Sequence, residues 1–258
     1  MPASPAPTPQ SEHASASMER GSYYREKLAG EALERCYQVG SARVQRYLRA
    51  EMDFVVAHVH PGDVVLDLGC GYGRTLADLA GAARLVVGID TSPESLALAA
   101  ARLRSLPNLL LACMDAARLA FVDATFDVVV CVQNGIAAFG VDRRALVHEA
   151  WRVLRPGGLA IFSSYSDKFW DDRLAWFEAQ AAAGLIGSID RRRSGGGVIV
   201  CSDGLVLGAV RPEEFAPLVA GLDAEVASVE VDGSCWFHLL RRPDAGAGGG
   251  RPGSQPIA

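Results

Sequence analysis

The sequence predicts an α/β fold: a doubly wound, mostly parallel seven-stranded sheet with helices on its faces. Two observations predict it. Short apolar runs alternate with helix-like segments from about residue 62 to residue 163, which is the pattern of parallel strands joined by right-handed crossovers. Two further apolar runs, at residues 225–230 and 235–240, lie close enough to pair as a hairpin, so we expect an antiparallel last strand.

The order of these elements divides the chain. Residues 1–20 and 243–258 are rich in Pro, Ala, Ser and Gly, which predicts two disordered tails around a domain at residues 21–242. Within the domain, two helices, at residues 23 to about 37 and at residues 42–58, are predicted before the first strand. Residues 166–209 are predicted to be an insertion after the fifth strand that covers the site.

Composition excludes several classes of partner. The net charge of −5 disfavours nucleic acid, which normally requires a basic surface. No apolar run approaches the roughly 20 residues that span a bilayer and no signal-peptide core is present, so we expect no membrane partner and a cytoplasmic location. Six cysteines without a C-x-x-C pair disfavour disulfides and metal binding. A monomer or homodimer is expected.

The first predicted strand runs into a glycine-rich loop, Val-Val-Leu-Asp-Leu-Gly-Cys-Gly-Tyr-Gly at residues 64–73. Gly69, Gly71 and Gly73 allow sharp turns and a close approach to a ligand, because they have no Cβ. The following helix would point its free N–H groups at that ligand. The dinucleotide fingerprint has its third glycine where this chain has Arg74, and no P-loop lysine follows. The spacing therefore disfavours both NAD and a phosphate cradle.

Acidic residues close the next two predicted strands. Asp90 follows Asp67 at about the 20-residue interval at which α/β nucleotide sites place a ribose-binding acid. Its alternative role is helix capping, because Thr-Ser-Pro-Glu follows it. Asp115 closes the third strand directly after Met114, and a plain turn is its alternative role. Parallel strands bring such residues to one edge of the sheet, where α/β folds bind ligands.

With this loop, these acids and the Leu-Arg-Pro-Gly-Gly turn at residues 154–158, the chain resembles the class I S-adenosylmethionine (SAM)-dependent methyltransferases over residues 62–163. In that family the acid after the second strand binds the ribose, and the acid after the third strand accepts from the adenine amino group. The resemblance implies SAM as the cofactor, held by loop and strand-end residues: Asp67, Gly69, Cys70, Gly71, Gly73, Asp90, Met114, Asp115 and Cys131.

The resemblance also places the chemistry at the end of the fourth strand. Gln133 and Asn134 follow that strand and are the candidate catalytic residues, because their side chains could orient the acceptor or the methionine part of SAM; a plain turn is the alternative. The Asn/Asp-Pro-Pro-Tyr/Phe motif of enzymes that methylate amides and base amino groups is absent there. The expected acceptor is a small molecule, methylated on nitrogen, sulfur, oxygen or a soft metalloid such as trivalent arsenic.

The acceptor is expected between the N-terminal helices and the insertion. The candidate substrate residues are aromatic, cationic or thiol side chains: Tyr23, Tyr24, Cys36, Arg43, Tyr165 and Cys201. Thiolates bind trivalent arsenic, and Cys36, Cys131 and Cys201 come from three segments that could converge, although buried structural cysteines are the alternative. Arg43 and the arginines at residues 191–193 could bind a carboxylate. A non-catalytic SAM-binding scaffold and an NAD-dependent oxidoreductase are the competing functions.

Overall fold

The computed structural model describes residues 23–244. The predicted tails lie outside this range, except for residues 243 and 244. Before the sheet come a π-helical turn, Tyr23–Lys27, and the helices α1 (Gly30–Gln38) and α2 (Ala42–Val56). The first predicted helix is thus divided, because Gly30 has a φ of 52°, which a right-handed helix does not accept in its interior.

The sheet has seven strands in the order β3-β2-β1-β4-β5-β9-β8, which confirms the predicted fold class. Strands β1 to β5 run parallel, and β9 is antiparallel to both of its neighbours. A separate pair, β6 and β7, lies in the insertion. In chain order the strands are β1 (Val64–Leu68), β2 (Leu85–Asp90), β3 (Leu109–Cys113), β4 (Phe126–Cys131), β5 (Leu154–Tyr165), β6 (Ile199–Val200), β7 (Val206–Leu207), β8 (Glu225–Val231) and β9 (Cys235–Arg241).

Helices cover both faces of the sheet. Every residue of β1 and β4 is buried, which explains why each strand is apolar except for one aspartate, Asp67 in β1 and Asp127 in β4. Alternate residues of these strands belong to two different core clusters, one on each face. The remaining helices are α3 (Leu76–Ala82), α4 (Pro93–Arg102), α5 (Gly135–Ala138), α6 (Arg143–Val153), α7 (Trp170–Ala182) and α8 (Pro212–Phe215), with 3₁₀ turns at Asp167–Phe169 and Ala216–Val219.

The insertion, residues 166–209, packs against the segment before α1. A third apolar cluster joins Leu28 and Cys36 to residues of the insertion, including Phe177 and Cys201. Asp203 reinforces this contact, because its carboxylate accepts from Tyr23 Oη at 2.7 Å and also pairs with Lys27. Within residues 23–244, no helix has both the length and the apolar character that crossing a membrane requires.

Candidate functional site

A cavity of about 620 Å³ opens at the carboxyl ends of β1, β2 and β3. Its walls include Gly69, Asp90, Met114 and Asp115, four of the residues that the sequence placed at one edge. Tyr24 and Phe139 also line it. The sheet order turns at β1, with β2 on one side and β4 on the other, which is the position where α/β sheets bind ligands.

The three loop glycines have different surroundings, although all have a positive φ, of 75°, 53° and 92°. A Cβ on Gly69 would lie 2.2 Å from Phe139 Cζ, on the cavity side. A Cβ on Gly71 would instead lie 3.0 Å from Leu33 Cδ2 on α1, and one on Gly73 would lie 2.8 Å from Leu103 Cδ1, directly after α4. Of the three, Gly69 is therefore the one whose missing Cβ leaves space on the cavity side, and the ring of Phe139 occupies that space.

Asp67 supports the loop from beneath rather than lining the cavity. Its carboxylate is 1% exposed and accepts from Thr75 Oγ1 at 2.5 Å, which ties the end of β1 to the start of α3. Burial raises the pKa of Asp67 from 3.8 to about 6, although the bond from Thr75 opposes the rise.

This raised pKa predicts a pH-dependent effect of Asp67→Asn. The folded protein binds the carboxyl proton more tightly than the unfolded chain, so this contribution to stability is complete below pH 3.8 and is lost as the pH rises to about 6. The amide imitates the protonated acid at every pH. We expect the variant to gain stability over the parent protein between pH 4 and pH 7, measured by urea unfolding. A stability difference that stays constant across this range would contradict the prediction.

Asp90 holds the glycine loop against the next helix. Its Oδ2 accepts from Gly71 N at 2.9 Å and its Oδ1 accepts from Ser92 N at 2.8 Å. The helix cap is Ser92 instead, whose Oγ accepts from Ser95 N at 3.2 Å at the start of α4. Burial raises the pKa of Asp90, and the backbone N–H donors of Ser92 and Gly71 oppose that rise. The carboxylate stands at the cavity wall with unused lone pairs, as a ribose-binding acid requires.

Met114 and Asp115 reach the cavity from the end of β3. Asp115 Oδ1 accepts from Ala117 N at 2.8 Å, so the plain-turn role predicted as its alternative is present in the structure. Its second oxygen leaves capacity for a ligand. Met114 Sδ accepts from Ala120 N at 3.3 Å, which fixes an apolar side chain at the wall.

The turn after β4 has two left-handed residues in succession, Gln133 with a φ of 55° and Asn134 with a φ of 60°. Such residues cost roughly 1–3 kcal/mol each and persist where the surroundings hold them. Asn134 is fully buried; its Oδ1 accepts from Ser164 Oγ at 2.6 Å, and its Nδ2 donates to Gly208 O at 3.0 Å. Gln133 differs, because its Oε1 accepts from Tyr165 Oη at 3.3 Å while its buried Nε2 has no partner.

Glu51 holds this turn from α2 and was missed by the sequence analysis. Its fully buried carboxylate accepts from Gln133 N at 2.8 Å, Ser163 Oγ at 2.6 Å and Arg74 Nη2 at 3.0 Å. It therefore connects α2 to the glycine loop and to the ends of β4 and β5. A signal existed: at helical spacing Glu51 shares the face of Val44, a polar residue on an otherwise apolar stripe.

The cysteines proposed for soft-metalloid binding lie in different places. Cys36 and Cys201 belong to the cluster between α1 and the insertion, whereas Cys131 is packed in the sheet core. Burial raises the pKa of Cys201 to about 11 and that of Cys36 to about 12, and it raises the pKa of Cys131 far above its ordinary value. Cys70 is also buried in the core. Among residues 23–244, no three His, Cys, Asp or Glu residues are grouped to hold a metal ion.

Two of the arginines predicted to bind a carboxylate, Arg43 and Arg191, are engaged elsewhere. Arg43 Nη1 binds Asp232 Oδ2 at 2.6 Å, and its Nη2 donates to Asp232 O at 3.0 Å. Arg191 pairs with Glu178 at the surface. Among the predicted substrate residues, Tyr24 lines the cavity.

Comparison with known proteins places this site in a family. Residues 65–158 match the family model described as "Methyltransferase domain". An arsenite methyltransferase of Aquipseudomonas alcaligenes is 38% identical over 126 residues, which are 44% of this chain and 35% of that protein. A demethylmenaquinone methyltransferase of Corynebacterium kroppenstedtii is 38% identical over 106 residues, 41% of this chain and 43% of that protein. The chain thus spans less than half the length of these curated relatives.

Solved structures share the fold over more of the chain. The 1,6-didemethyltoxoflavin-N1-methyltransferase of Burkholderia thailandensis, crystallised with 1,6-didemethyltoxoflavin and S-adenosylhomocysteine, superposes with a TM-score of 0.58 at 17% identity, covering 94% of each chain. A protein from Pyrococcus horikoshii superposes with a TM-score of 0.60 at 21% identity, covering 86% of this chain and 98% of its own. At these identities the likeness shows a common fold.

Proposed function

Residues 65–158 form a class I SAM-dependent methyltransferase domain, and we propose that the protein transfers a methyl group from SAM to a small-molecule acceptor. One observation carries the proposal: a cavity at the ends of β1, β2 and β3 is lined together by Gly69, Asp90, Met114 and Asp115. The bare backbone of Gly69 suits the methionine part of SAM, and the Asp90 carboxylate suits the ribose. The Asp115 carboxylate and the apolar Met114 side chain suit the adenine.

The residues divide the work of holding the cofactor. Asp90 offers carboxylate lone pairs to the ribose hydroxyls, and Asp115 offers one to the adenine amino group. Gly69 allows main-chain contact, whereas Asp67 acts through the loop that it supports. When bound, SAM supplies an electrophilic methyl group, so the chain has to orient the acceptor and exclude water. We also propose that Gln133, whose Nε2–H has no partner, orients the acceptor.

The acceptors of the relatives do not carry over directly. One relative is named for arsenite, another for demethylmenaquinone. Chemistry on arsenic would require several thiolates at one place, whereas Cys131 lies apart from Cys36 and Cys201, and burial keeps all three protonated. We therefore propose an organic acceptor with a nitrogen, oxygen, sulfur or carbon nucleophile.

Calorimetric titration with SAM and, separately, with NAD⁺ tests the proposal. We expect micromolar SAM binding, no heat with NAD⁺, and at least about tenfold weaker SAM binding in Asp90→Ala, which loses the ribose acid. Heat with NAD⁺ alone, or an unchanged affinity in a folded Asp90→Ala protein, would count against the proposal. SAM binding without turnover of any acceptor in a broad panel would favour the non-catalytic scaffold.

Phe139 is expected to compete with the cofactor. Its ring lies on Gly69 and also fills the space beside Gly135, where a Cβ would be 2.7 Å from Phe139 Cζ. SAM can contact the Gly69 backbone only in molecules whose Phe139 ring has turned aside. The apparent Kd for SAM is therefore the intrinsic Kd divided by the fraction of such molecules. We expect Phe139→Ala to bind SAM up to about tenfold more tightly by calorimetry. Val141→Ala, on the same cavity wall, is the control, and unchanged or weaker binding in Phe139→Ala would refute this prediction.

A further inference from the structure

An arginine without an acidic partner is buried within the insertion. Arg173, on α7, is 1% exposed. Its Nη1 donates to Gly197 O at 2.8 Å, and its Nη2 donates to Leu207 O at 2.8 Å and to Gly208 O at 3.2 Å. Its buried Nε has no hydrogen-bond partner. In the part of the chain that the structure describes, no carboxylate forms an ion pair with this guanidinium, and its hydrogen bonds all go to backbone carbonyl groups.

A buried charge in such surroundings is costly unless an opposite charge accompanies it. Aromatic rings offset part of the cost, because the guanidinium carbon lies 4.2 Å from the centre of the Tyr165 ring and 5.6 Å from that of Phe177. Asp167, an acid whose charge reaches Arg173, is bound by Arg211 at 2.8 and 2.9 Å. Burial lowers the pKa of Arg173, yet arginine stays protonated in proteins.

A second unpartnered donor lies against the same tyrosine. Gln133 Oε1 accepts from Tyr165 Oη, and the buried Gln133 Nε2 has no partner. Arg173 covers the ring of Tyr165. Tyr165 is the last residue of β5 and Gln133 follows β4, so Arg173 packs on a residue of the carboxyl edge of the sheet, the edge to which Gln133 also belongs. Tyr165 cannot supply an anion, because burial raises the pKa of its hydroxyl.

This place adjoins the cavity through Tyr24. Tyr24 packs against the apolar cluster that contains Phe177, and the guanidinium carbon of Arg173 lies 5.6 Å from the centre of the Phe177 ring. Tyr24 is also a wall of the cavity. One apolar cluster therefore joins the surroundings of Arg173 to the wall of the space in which we place SAM and its acceptor.

We propose that the acceptor carries a carboxylate and that Arg173 and Gln133 bind it. The proposal rests on the function proposed above and names the acceptor class. One carboxylate would satisfy both unpartnered N–H groups and supply the missing negative charge. It serves as the binding group, because two N–H donors directed at one carboxylate fix the orientation of the molecule that carries it. The methyl group goes to another nucleophilic atom of the same molecule.

Matched pairs of acids and esters test this. The probes are 4-hydroxybenzoate, 4-aminobenzoate, anthranilate and nicotinate, each beside its methyl ester. Binding is measured by calorimetry on the full chain saturated with S-adenosylhomocysteine, and turnover is measured as S-adenosylhomocysteine formed from SAM. We expect at least one acid to bind ten times or more tightly than its ester, because the ester leaves the guanidinium without an anion.

Two variants separate recognition from folding. Arg173→Met tests the charge directly but removes the donor to the carbonyl groups of Gly197 and Leu207, so it is accepted only if its melting temperature is near that of the parent. Gln133→Glu keeps the oxygen that accepts from Tyr165 and opposes an incoming anion. We expect Gln133→Glu to weaken binding of the acid at least tenfold and to leave binding of its ester within twofold. Arg192→Met removes an exposed arginine of the insertion. It should change neither the binding of the acid nor the binding of its ester.

The results distinguish failure of the carboxylate proposal from failure of the methyltransferase proposal. Equal binding of acid and ester, no binding of any acid, or unchanged discrimination in Gln133→Glu would overturn the carboxylate proposal. Titration with SAM alone remains a separate measurement. If SAM binds while acids fail, the acceptor class is wrong and the methyltransferase proposal stands. If SAM does not bind, the methyltransferase proposal itself fails.

Discussion

Replacing Gly69 with valine is expected to abolish SAM binding, raising Kd at least a hundredfold, which corresponds to about 2.8 kcal/mol. Two effects combine. Gly69 has a φ of 75°, a conformation that β-branched residues strongly disfavour. Its Cβ would also project to the cavity side, to a point 2.2 Å from the present position of Phe139 Cζ. The added methyl groups therefore fill the space above the backbone that the cofactor needs.

Gly71→Ala is the matched control for backbone strain. Gly71 also has a positive φ, of 53°, but its Cβ would meet Leu33 Cδ2 at 3.0 Å on the opposite side of the loop. We expect this variant to lose some stability and to keep its SAM affinity within a few fold. Calorimetry with SAM measures the affinities, and a thermal melt reports whether each variant is folded. A folded Gly69→Val protein that binds SAM like the parent would show that the cofactor does not lie on this loop.

The contrast between these two glycines shows what the sequence could predict. The spacing G-x-G-x-G was enough to place a ligand loop after β1, because the loop is local and its glycines respond to local backbone needs. The parallel sheet and its shared edge were predicted from alternating apolar runs and right-handed crossovers, whereas the strand order was not predicted. Which glycine faces the cavity depends on Phe139 and Leu33, which lie far along the chain or on another helix. No local pattern contains that information.

Whether an arginine is free to bind a ligand also depends on residues that are distant in the sequence. Arg43 and Arg173 are both helical arginines, and their charges are equally visible in the sequence. Arg43 meets Asp232 at the β8–β9 turn, whereas Arg173 meets carbonyl groups of the insertion. A partner brought in by the tertiary fold decides whether a charge is available to a ligand. The spacing around Arg173 did hold a clue, because at helical intervals it shares a face with the buried Phe177.

Glu51 carries the largest expected effect on stability. Replacing it with alanine removes the acceptor of Arg74 Nη2, Ser163 Oγ and Gln133 N together, all at or below 3.0 Å. Removing one partner of a buried ion pair typically costs about 3–5 kcal/mol, because the other charge stays buried. At about 2–4 °C per kcal/mol for a domain of this size, the melting temperature should fall by roughly 10 °C.

Two comparisons make this expectation specific to the buried network. Glu178→Ala breaks the exposed pair with Arg191 and should change the free energy of unfolding by less than about 0.5 kcal/mol. Glu51→Gln keeps an oxygen that can accept from Gln133 N but loses the charge opposite Arg74, so its stability should fall between those of the parent and Glu51→Ala. Urea unfolding measures all three variants. If Glu51→Ala were as stable as Glu178→Ala, the left-handed turn at Gln133 would need some other support, because its strain would remain without the bond that holds it.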